Sequence, residues 1–405
     1  MQIQIRDRIH SVGVVDWSVR DFHGYNTERG ATYNAYLIQD QKNALIDTVK
    51  APFAQDFLNN VAKVLDLQKI DYVIINHAEP DHTSALPAVM QALPQATLLC
   101  SKKCVPVLSA YYDTSNWKIQ AVGTGDTLNL GKHTLSFVEI PLVHWPDSMV
   151  TYLADEKILF SSDAFGQHYS SSSRFDDENP MGEIMDEARI YYANIVNPYG
   201  KRVQQVLEIL GGLSIEMICP SHGVIWRSYV GEIIKAYHNW AWNRSKAKVV
   251  IVFETMWNST GAMAEAILEG AAQPGVEVKL FNIRHSNNTH LVTEFLDCAC
   301  VAFGSSTLNQ GMLPSMASLL CYTQGLNFQN RAGVAFGSFG WGKGGPEALA
   351  EKITDLKWEL LSAPLKAKYR PTVEDLQDCY LMGKKLAEKA LALSAASNYQ
   401  KLAND

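Results

Sequence analysis

A cluster of side chains that bind metal ions lies in residues 76–82, which read Asn-His-Ala-Glu-Pro-Asp-His. Two imidazoles and two carboxylates fall within six residues, those of His77, Glu79, Asp81 and His82. They directly follow the apolar run 72–75, at the carboxyl end of a predicted strand. A single histidine is usually an ordinary surface or core residue, but chance rarely places four hard or borderline ligands so close together. The segment therefore predicts a metal site in a loop, where the ligands converge without a helix.

Three further potential ligands follow later predicted strands. Between Asp81 and His144 lie 62 residues, between His144 and Asp163 lie 18, and between Asp163 and His222 lie 58. The predicted strand 157–160 ends at the Ser-Ser-Asp segment that contains Asp163, and His222 lies in the Cys-Pro-Ser-His-Gly segment 219–223. With the first cluster, these residues make seven candidate ligands of one metal site.

A second set of polar side chains indicates a phosphate site. The continuous apolar run 249–253 is typical of a buried strand in a parallel sheet, and a helix is predicted over 262–269. Hydroxyls, amides and a glycine between a strand and a helix N-terminus form a phosphate cradle. No nucleoside triphosphate loop and no dinucleotide fingerprint is present here, so a monophosphate such as that of FMN fits best. The candidate residues are Thr255, Met256, Trp257, Asn258, Ser259 and Thr260.

Two more loops follow predicted strands in the same half of the chain. Glycine in such loops allows the backbone to approach a flat ring closely, and Trp341 is placed to stack near it. Ligands of doubly wound sheets bind at the carboxyl edge, where such loops gather. After the strand 301–304 come Ser305, Ser306, Thr307, Leu308, Asn309 and Gly311, and after the strand 335–337 come Ser338, Phe339, Gly340, Trp341 and Gly342.

The pattern of predicted strands and helices that position these residues changes near residue 246. Residues 1–240 are predicted to form short strands alternating with helices, and a polar, basic break at 242–248 follows. Beyond the break, strands and helices alternate regularly, which predicts a doubly wound α/β domain. We therefore expect one domain over residues 1–246 and a second over 247–405.

Composition excludes several classes of protein. The chain has 405 residues, of which 47% are hydrophobic and 19% charged, with a net charge of −7. This acidic balance argues against nucleic acid as a partner, and no apolar run approaches the ~18 residues of a membrane span. The N-terminus lacks an apolar signal core, and the seven cysteines include no Cys-x-x-Cys pair. We expect a soluble, cytoplasmic protein.

The two halves together resemble the flavodiiron proteins, in which a metallo-β-lactamase-like αββα sandwich precedes a flavodoxin-like domain. The His-x-Glu-x-Asp-His loop and the later His, Asp and His carry this resemblance. The segments 20–24, 144–149, 165–168 and 191–195 are also similar to that family. Zinc hydrolases of the fold usually have histidine where Glu79 stands, and the added carboxylate suits iron better than catalytic zinc.

The resemblance implies roles for these residues. One iron would be held by His77, Glu79 and His144, a second by Asp81, His82 and His222, and Asp163 would bridge them. In some members of the family the residue matching His82 does not coordinate. His23 and Tyr192 match positions beside the metals, where either could donate a hydrogen bond to bound oxygen species. The first of the three loops would hold the FMN phosphate and the other two would flank the ring.

The resemblance also implies an activity, the reduction of O2 to water or of NO to N2O, and leaves open which gas is preferred. It implies rubredoxin, a related carrier or reduced deazaflavin as electron donor. A head-to-tail homodimer, alone or as a dimer of dimers, would bring one chain's FMN to the other chain's irons. Two alternatives remain at this point: a zinc hydrolase fused to a flavodoxin domain, and an electron carrier with a structural metal domain.

Overall fold

The computed structural model describes residues 2–403, which form two compact units. The first unit runs through Tyr191 and resumes over Lys201–Tyr237, and the second comprises Tyr192–Gly200 and His238–Ala403. This division follows contacts between residues, and the domain boundary at residue 246 stays a prediction. Among residues 2–403, no helix is both long enough and apolar enough to cross a bilayer.

Within residues 2–403, the first unit contains sixteen strands. They are β1 (Ile3–Arg6), β2 (Ile9–Ser11), β3 (Val14–Asp16), β4 (Asp21–Phe22), β5 (Tyr25–Asn26), β6 (Ala31–Tyr33), β7 (Tyr36–Ile38), β8 (Asn43–Ile46), β9 (Ile70–Ile75), β10 (Thr97–Ser101), β11 (Lys118–Val122), β12 (Thr127–Asn129), β13 (Thr134–Glu139), β14 (Met149–Leu153), β15 (Ile158–Ser162) and β16 (Met217–Pro220).

Two sheets make up the body of the first unit. The larger has the order β1-β2-β7-β8-β9-β10-β11 and is parallel from β8 to β11, and the smaller has the order β12-β13-β14-β15-β16. Inner-face side chains of both sheets, such as Ile46 and Phe160, belong to one buried cluster, so the sheets pack face to face. Two small two-stranded sheets, β3 with β6 and the hairpin of β4 with β5, are separate from them. The predicted αββα sandwich is confirmed.

Helices complete the first unit and cover the larger sheet. Phe57, Val89 and Leu108, from three helices, pack with the outer face of that sheet in a second buried cluster. The helices are α1 (Ala54–Ala62), α2 (Pro80–Thr83), α3 (Leu86–Ala92), α4 (Cys104–Tyr111), α5 (Met181–Tyr191), α6 (Gly200–Leu210) and α7 (Val230–Ala241), of which α6 begins and α7 ends with residues of the second unit. Single helical turns of this unit lie at Ala51–Phe53, Leu67–Lys69 and Asp176–Glu178, and two more, at Tyr192–Val196 and Asn197–Tyr199, belong to the second unit.

The second unit is a parallel sheet with helices around it. The strand order is β18-β17-β19-β20-β21, and β22 also pairs with β20. Every residue of β17 is buried, because helices cover both faces of a doubly wound sheet. The strands are β17 (Lys248–Glu254), β18 (Glu277–Asn282), β19 (Cys300–Ser305), β20 (Ala332–Phe339), β21 (Glu359–Leu360) and β22 (Leu365–Lys368). The predicted flavodoxin-like topology is confirmed.

Helices of the second unit pack closely where glycines permit it. A Cβ on Gly270 would lie 1.9 Å from the carbonyl oxygen of Tyr380, so the backbones of two helices touch there. Thr372 and Asp375 form a capping box that begins the last helix. The helices are α8 (Ser259–Ala271), α9 (Asn288–Phe295), α10 (Pro314–Leu326), α11 (Gly345–Asp355) and α12 (Val373–Ser397), with a single turn at Ile283–His285.

Candidate functional site

Four side chains converge as a first ligand group in the first unit. The Nε2 atom of His144 lies 3.1 Å from Glu79 Oε2 and 3.2 Å from Asp163 Oδ2. The Nε2 atom of His77 lies 3.3 Å and 3.5 Å from the same two oxygens. Potential ligand atoms of all four residues fall within 4.8 Å of one another, a spacing that suits a single metal ion.

A second group lies on the other side of Asp163. His222 Nε2 is 3.0 Å from Asp81 Oδ2 and 3.3 Å from Asp163 Oδ1. His82 Nε2 lies 3.4 Å and 3.2 Å from the same two oxygens. The two oxygens of Asp163 therefore face different groups, which is the arrangement of a carboxylate shared by two metal ions. The Nε2 atoms of His82 and His222 lie at similar distances from these oxygens, which favours His82 as a ligand.

Strand ends position these residues. His144, Asp163 and His222 follow β13, β15 and β16, which run in the same direction in the smaller sheet. His77 and Glu79 follow β9 of the larger sheet, as predicted. Asp81 and His82 instead lie on α2, a helical turn that begins at Pro80. The expectation that the ligands converge without a helix is wrong, because proline at the first helical position favours a turn.

The polar atoms of this cluster fit a metal centre. Both carboxylate oxygens of Asp81 and of Asp163 are buried and make no hydrogen bond. The same holds for Nε2 of His82, His144 and His222. Buried polar atoms are normally satisfied, because leaving one unpaired costs about 1–3 kcal/mol. The unpaired oxygens and nitrogens of this cluster surround two common points, and metal ions at those points would give each of these atoms a partner. The mixture of imidazole and carboxylate suits iron.

Groups behind the ligands fix the orientation of the imidazoles. His77 Nδ1 lies 3.2 Å from Asp147 Oδ2, which also accepts the backbone N–H of Ala78 at 2.7 Å. His222 Nδ1 lies 2.7 Å from the carbonyl oxygen of Thr32. An imidazole that donates its Nδ1–H to such a partner presents its Nε2 lone pair to a metal. Both histidines are therefore preset as Nε2 ligands.

The cluster strongly attracts positive charge. Burial raises the pKa of the Glu79 carboxyl, but the nearby His144 and His77 outweigh burial and lower that pKa to about 2. Burial lowers the pKa of His222, yet the Asp163 and Asp81 carboxylates raise it to about 10. Both shifts arise from imidazoles and carboxylates in close contact, which hold each other in their charged forms. Metal cations would replace the protons that these groups otherwise share.

His23 reaches the cluster from the hairpin of β4 and β5. Its Nε2 atom lies 3.6 Å from Glu79 Oε2 and 3.6 Å from Asp81 Oδ2, so it faces both ligand groups. Tyr192 belongs to the second unit, where its ring packs against Trp240 at 5.1 Å. The role that the resemblance gives Tyr192 beside the metals thus stays a prediction.

Two buried residues beside the cluster were not selected from the sequence. The His168 ring packs edge-on to that of His222 at 5.4 Å, and its Nδ1 lies 2.8 Å from the Tyr25 hydroxyl. The Tyr191 ring lies 5.0 Å from His168, and its hydroxyl is buried without a hydrogen bond. Both residues stand in segments that the family resemblance had singled out, but nothing in those segments marks which side chain faces the metals.

In the second unit, buried hydroxyls join the three predicted loops. Thr260 Oγ1 lies 3.1 Å from Ser306 Oγ and 2.9 Å from Ser338 Oγ. The backbone N–H of Thr307 donates to the Ser338 carbonyl at 2.8 Å. The three loops therefore meet at the carboxyl edge of β17, β19 and β20, as predicted. Ser338 and Phe339 belong to β20 itself, which extends beyond the predicted strand.

This edge of the sheet fits a phosphate group. The N-cap of α8, Asn258, makes no side-chain capping bond, so the first N–H groups of this 13-residue helix remain available to an anion. The Thr255 hydroxyl is buried without a partner. Trp257 and Trp341, in the first and third loops, are 89% and 95% exposed. A planar ring system between the loops would cover such aromatic surface.

Comparisons with known proteins agree with this geometry. Residues 31–223 match the family described as ODP family beta lactamase, and residues 251–383 match flavodoxin. The chain is 44% identical to a nitric oxide reductase of Moorella thermoacetica, over 96% of this chain and 98% of that protein. It is 41% identical to an anaerobic nitric oxide reductase flavorubredoxin of Escherichia coli, over 96% of this chain and 82% of that protein.

Solved structures are similar over nearly the whole chain. The flavodiiron protein from Giardia intestinalis matches with a TM-score of 0.95 and 37% identity, over 98% of each chain. The rubredoxin oxygen:oxidoreductase from Desulfovibrio gigas matches with a TM-score of 0.95 and 40% identity, over 98% of this chain and all of that one.

Proposed function

This chain belongs to the flavodiiron proteins, and from that premise we propose that it reduces O2, NO or both at a non-haem diiron site supplied with electrons by FMN. The observation that carries the proposal is the carboxylate of Asp163, whose two oxygens face two separate ligand groups. The presence of Glu79 in the first group favours iron over the zinc of hydrolases with this fold.

The seven predicted ligands divide between two ions. His77, Glu79 and His144 would hold one iron, and Asp81, His82 and His222 the other, with Asp163 bridging. When loaded, two ferrous ions and reduced FMN supply four electrons, which matches reduction of O2 to two waters, whereas two NO need two electrons to give N2O and water. Asp147 and the Thr32 carbonyl keep two of the imidazoles in the ligating orientation.

His23 would act at the opening between the two ligand groups. Its imidazole faces Glu79 and Asp81 from outside the ligand set, so it can donate a hydrogen bond to a molecule held between the ions. Tyr192 retains the outer role implied by the family resemblance. Neither side chain is proposed as a ligand.

FMN would occupy the carboxyl edge of the second unit. The N-terminus of α8 and the Thr255 hydroxyl would hold its phosphate, because both are unsatisfied and face the same loop. The loops after β19 and β20 would flank the ring, with Trp341 beside it. The flavodoxin match supports a flavin, and the monophosphate cradle favours FMN.

The proposal includes a partner and an assembly. Rubredoxin, a related carrier or reduced deazaflavin would deliver electrons to the flavin. A head-to-tail homodimer, alone or paired into a dimer of dimers, would place one subunit's FMN beside the other's diiron site. The cysteines at residues 2–403 form no disulfide, which fits the reducing cytoplasm.

Steady-state turnover with each gas, measured on one preparation, tests the proposal. Purified protein is loaded with iron and FMN, reduced with rubredoxin, and supplied with NO or O2 at gas-sensing electrodes. We expect two iron ions per chain and consumption of at least one gas, with O2 giving little peroxide. Bound zinc with no reduction of either gas, or stoichiometric release of peroxide, would contradict the corresponding part of the proposal.

A further inference from the structure

The orientation of His23 is not fixed by hydrogen bonds. Both nitrogens of its ring are buried and have no hydrogen-bond partner. The residue has a φ of 52° at the turn between β4 and β5, in the left-handed region that non-glycine residues seldom adopt. The hairpin has only two residues in each strand. The packing of neighbouring side chains must therefore hold the imidazole in place.

The Phe22 ring provides that packing. It stacks on the His23 ring at 4.1 Å with an interplanar angle of 19°, and on the His168 ring at 4.5 Å with an angle of 16°. The Tyr25 hydroxyl, 2.8 Å from Nδ1, anchors His168 in turn. Phe22 is thus the ring packed most closely on the imidazole of His23, whose own stacking contact with His168 is longer, at 5.1 Å.

The ammonium of Lys50 lies on the Phe22 ring. Its Nζ atom is 3.8 Å from the centroid of Phe22 and 5.1 Å from that of Tyr33, both within the range of a cation–π contact. Lys50 belongs to the segment that follows β8, whereas Phe22 belongs to the small hairpin. The contact therefore ties the hairpin to the larger sheet.

We propose that Lys50 is a positioning residue of the metal centre, which holds the Phe22 ring through a cation–π contact and through that ring orients the His23 imidazole over both ligand groups. The Phe22 ring makes the closest ring contact of His23, at 4.1 Å, so a shift of Phe22 passes directly to the imidazole. The effect expected on gas reduction rests on the proposed function. The effect on the orientation of His23 does not depend on it.

Three substitutions test the contact in the iron- and FMN-loaded protein. Lys50→Met removes the charge and keeps the length, and Lys50→Arg keeps a cation on the ring. Lys42→Met is the matched control, because Lys42 Nζ lies 5.7 Å from the Tyr72 ring, in a contact that does not involve His23. For each variant, we would measure the His23 ring orientation in a crystal structure, the EPR spectrum of the half-oxidised diiron centre, and kcat and KM.

We expect Lys50→Met to tilt the His23 ring, alter the EPR spectrum and lower kcat by roughly two- to thirtyfold, the range covered by one cation–π contact. The KM, iron content and melting temperature should stay near those of the wild type. Lys50→Arg and Lys42→Met should resemble the wild type. In a Phe22→Leu background, Lys50→Met should have no further effect.

Several results would overturn the inference. An unmoved His23 ring in Lys50→Met would do so whatever the activity, as would an Arg variant that behaves like the Met variant. A full Lys50→Met effect in the Phe22→Leu background would show that the lysine acts by its charge alone. A wild type that reduces neither gas would count against the proposed function instead, and the crystal structures would still decide the inference.

Discussion

Asp163 accounts for much of the chemistry at the scale of single residues. Its two oxygens lie 3.2 Å and 3.3 Å from His144 and His222, one in each ligand group. Asp147 acts on one group alone, because it contacts His77 and none of the second group's residues. Replacing these two carboxylates should therefore affect the metal centre differently.

Asp163→Asn should leave the protein with little iron at either position, since an amide is neutral and bridges two cations poorly. Asp147→Asn should weaken mainly the first position, by roughly 10- to 100-fold in affinity, as is usual for a residue that orients a ligand. Iron content and competition with a chelator measure both effects. The exposed Asp155→Asn is the control, and equal losses in the Asp163 and Asp147 variants would contradict the bridging role.

Glu187 gives a prediction for the pH dependence of stability. Burial raises its pKa to about 7, against the opposing charge of Arg29, while Glu28, Asp186 and Glu183 raise it further. The folded state binds this proton more tightly than the unfolded state. The stability that it contributes is complete below about pH 4.5 and is lost as the pH rises through about 7.

Glu187→Gln should therefore remove part of the stability loss between pH 5 and pH 8, on the order of 2 kcal/mol. Urea unfolding at both pH values measures this difference. The neighbouring Glu183→Gln is the control, because Glu183 is more exposed and its Oε2 pairs with Arg29 at 2.7 Å. An identical pH dependence in the wild type and Glu187→Gln would refute the prediction.

The sequence allowed most of the ligand set to be selected but not its surroundings. His77, Glu79, Asp81 and His82 are adjacent in the chain, so their type and spacing are informative by themselves. Tyr191 and Tyr192 are neighbours that differ by about 100° around a helix, and only packing decides which one faces His168. Asp147 and Lys50 lie far from their partners in sequence, so no local pattern reveals their contacts.

At the scale of elements, the flavin site depends on three strand ends held in register. Parallel pairing of β17, β19 and β20 brings their carboxyl ends together, which alternating strands and helices allow to be predicted. The shape of the second loop was not predictable. Leu308 and Gly311 pair across a tight turn in which Asn309 and Gln310 both have positive φ, a conformation more often signalled by glycine.

Thr260→Val should loosen all three loops, because it leaves the hydroxyls of Ser306 and Ser338 with only their long 3.4 Å contact to each other. A buried hydroxyl left unpaired costs about 1–3 kcal/mol, so FMN affinity should fall by about tenfold or more. Fluorescence titration of the flavin-free protein with FMN measures this loss. Thr323→Val is the control, since its buried hydroxyl bonds only within α10, and equal losses in both variants would argue against the shared contact.

At the scale of the whole molecule, the two chemical sites belong to separate compact units. In the proposed head-to-tail dimer, each diiron site works with the flavin of the other subunit. Gly337 offers a way to disable one unit, because a Cβ there would lie 1.9 Å from the carbonyl oxygen of Ser305, between two of the flavin loops.

Heterodimers of Asp163→Asn and Gly337→Val subunits should regain activity that neither homodimer has. In a head-to-tail arrangement, the flavin of the Asp163→Asn subunit serves the intact metal site of the Gly337→Val subunit. One of the two active pairs is then complete, so about half of the wild-type rate is expected. Differently tagged subunits, purified together and assayed with NO and O2, provide the measurement. An inactive heterodimer with one full complement of iron and FMN would exclude transfer between subunits.

The shared carboxylate also bears on how the protein acquires its ions. A first iron bound to one oxygen of Asp163 would restrict the rotation of this carboxylate, whose second oxygen already faces the other ligand group, so a second ion would meet an oriented ligand. Iron loading should thus be cooperative. A population given half the required iron should divide into molecules with no iron and molecules with two iron ions. Native mass spectrometry would resolve these species, and a dominant peak with a single ion would indicate independent filling.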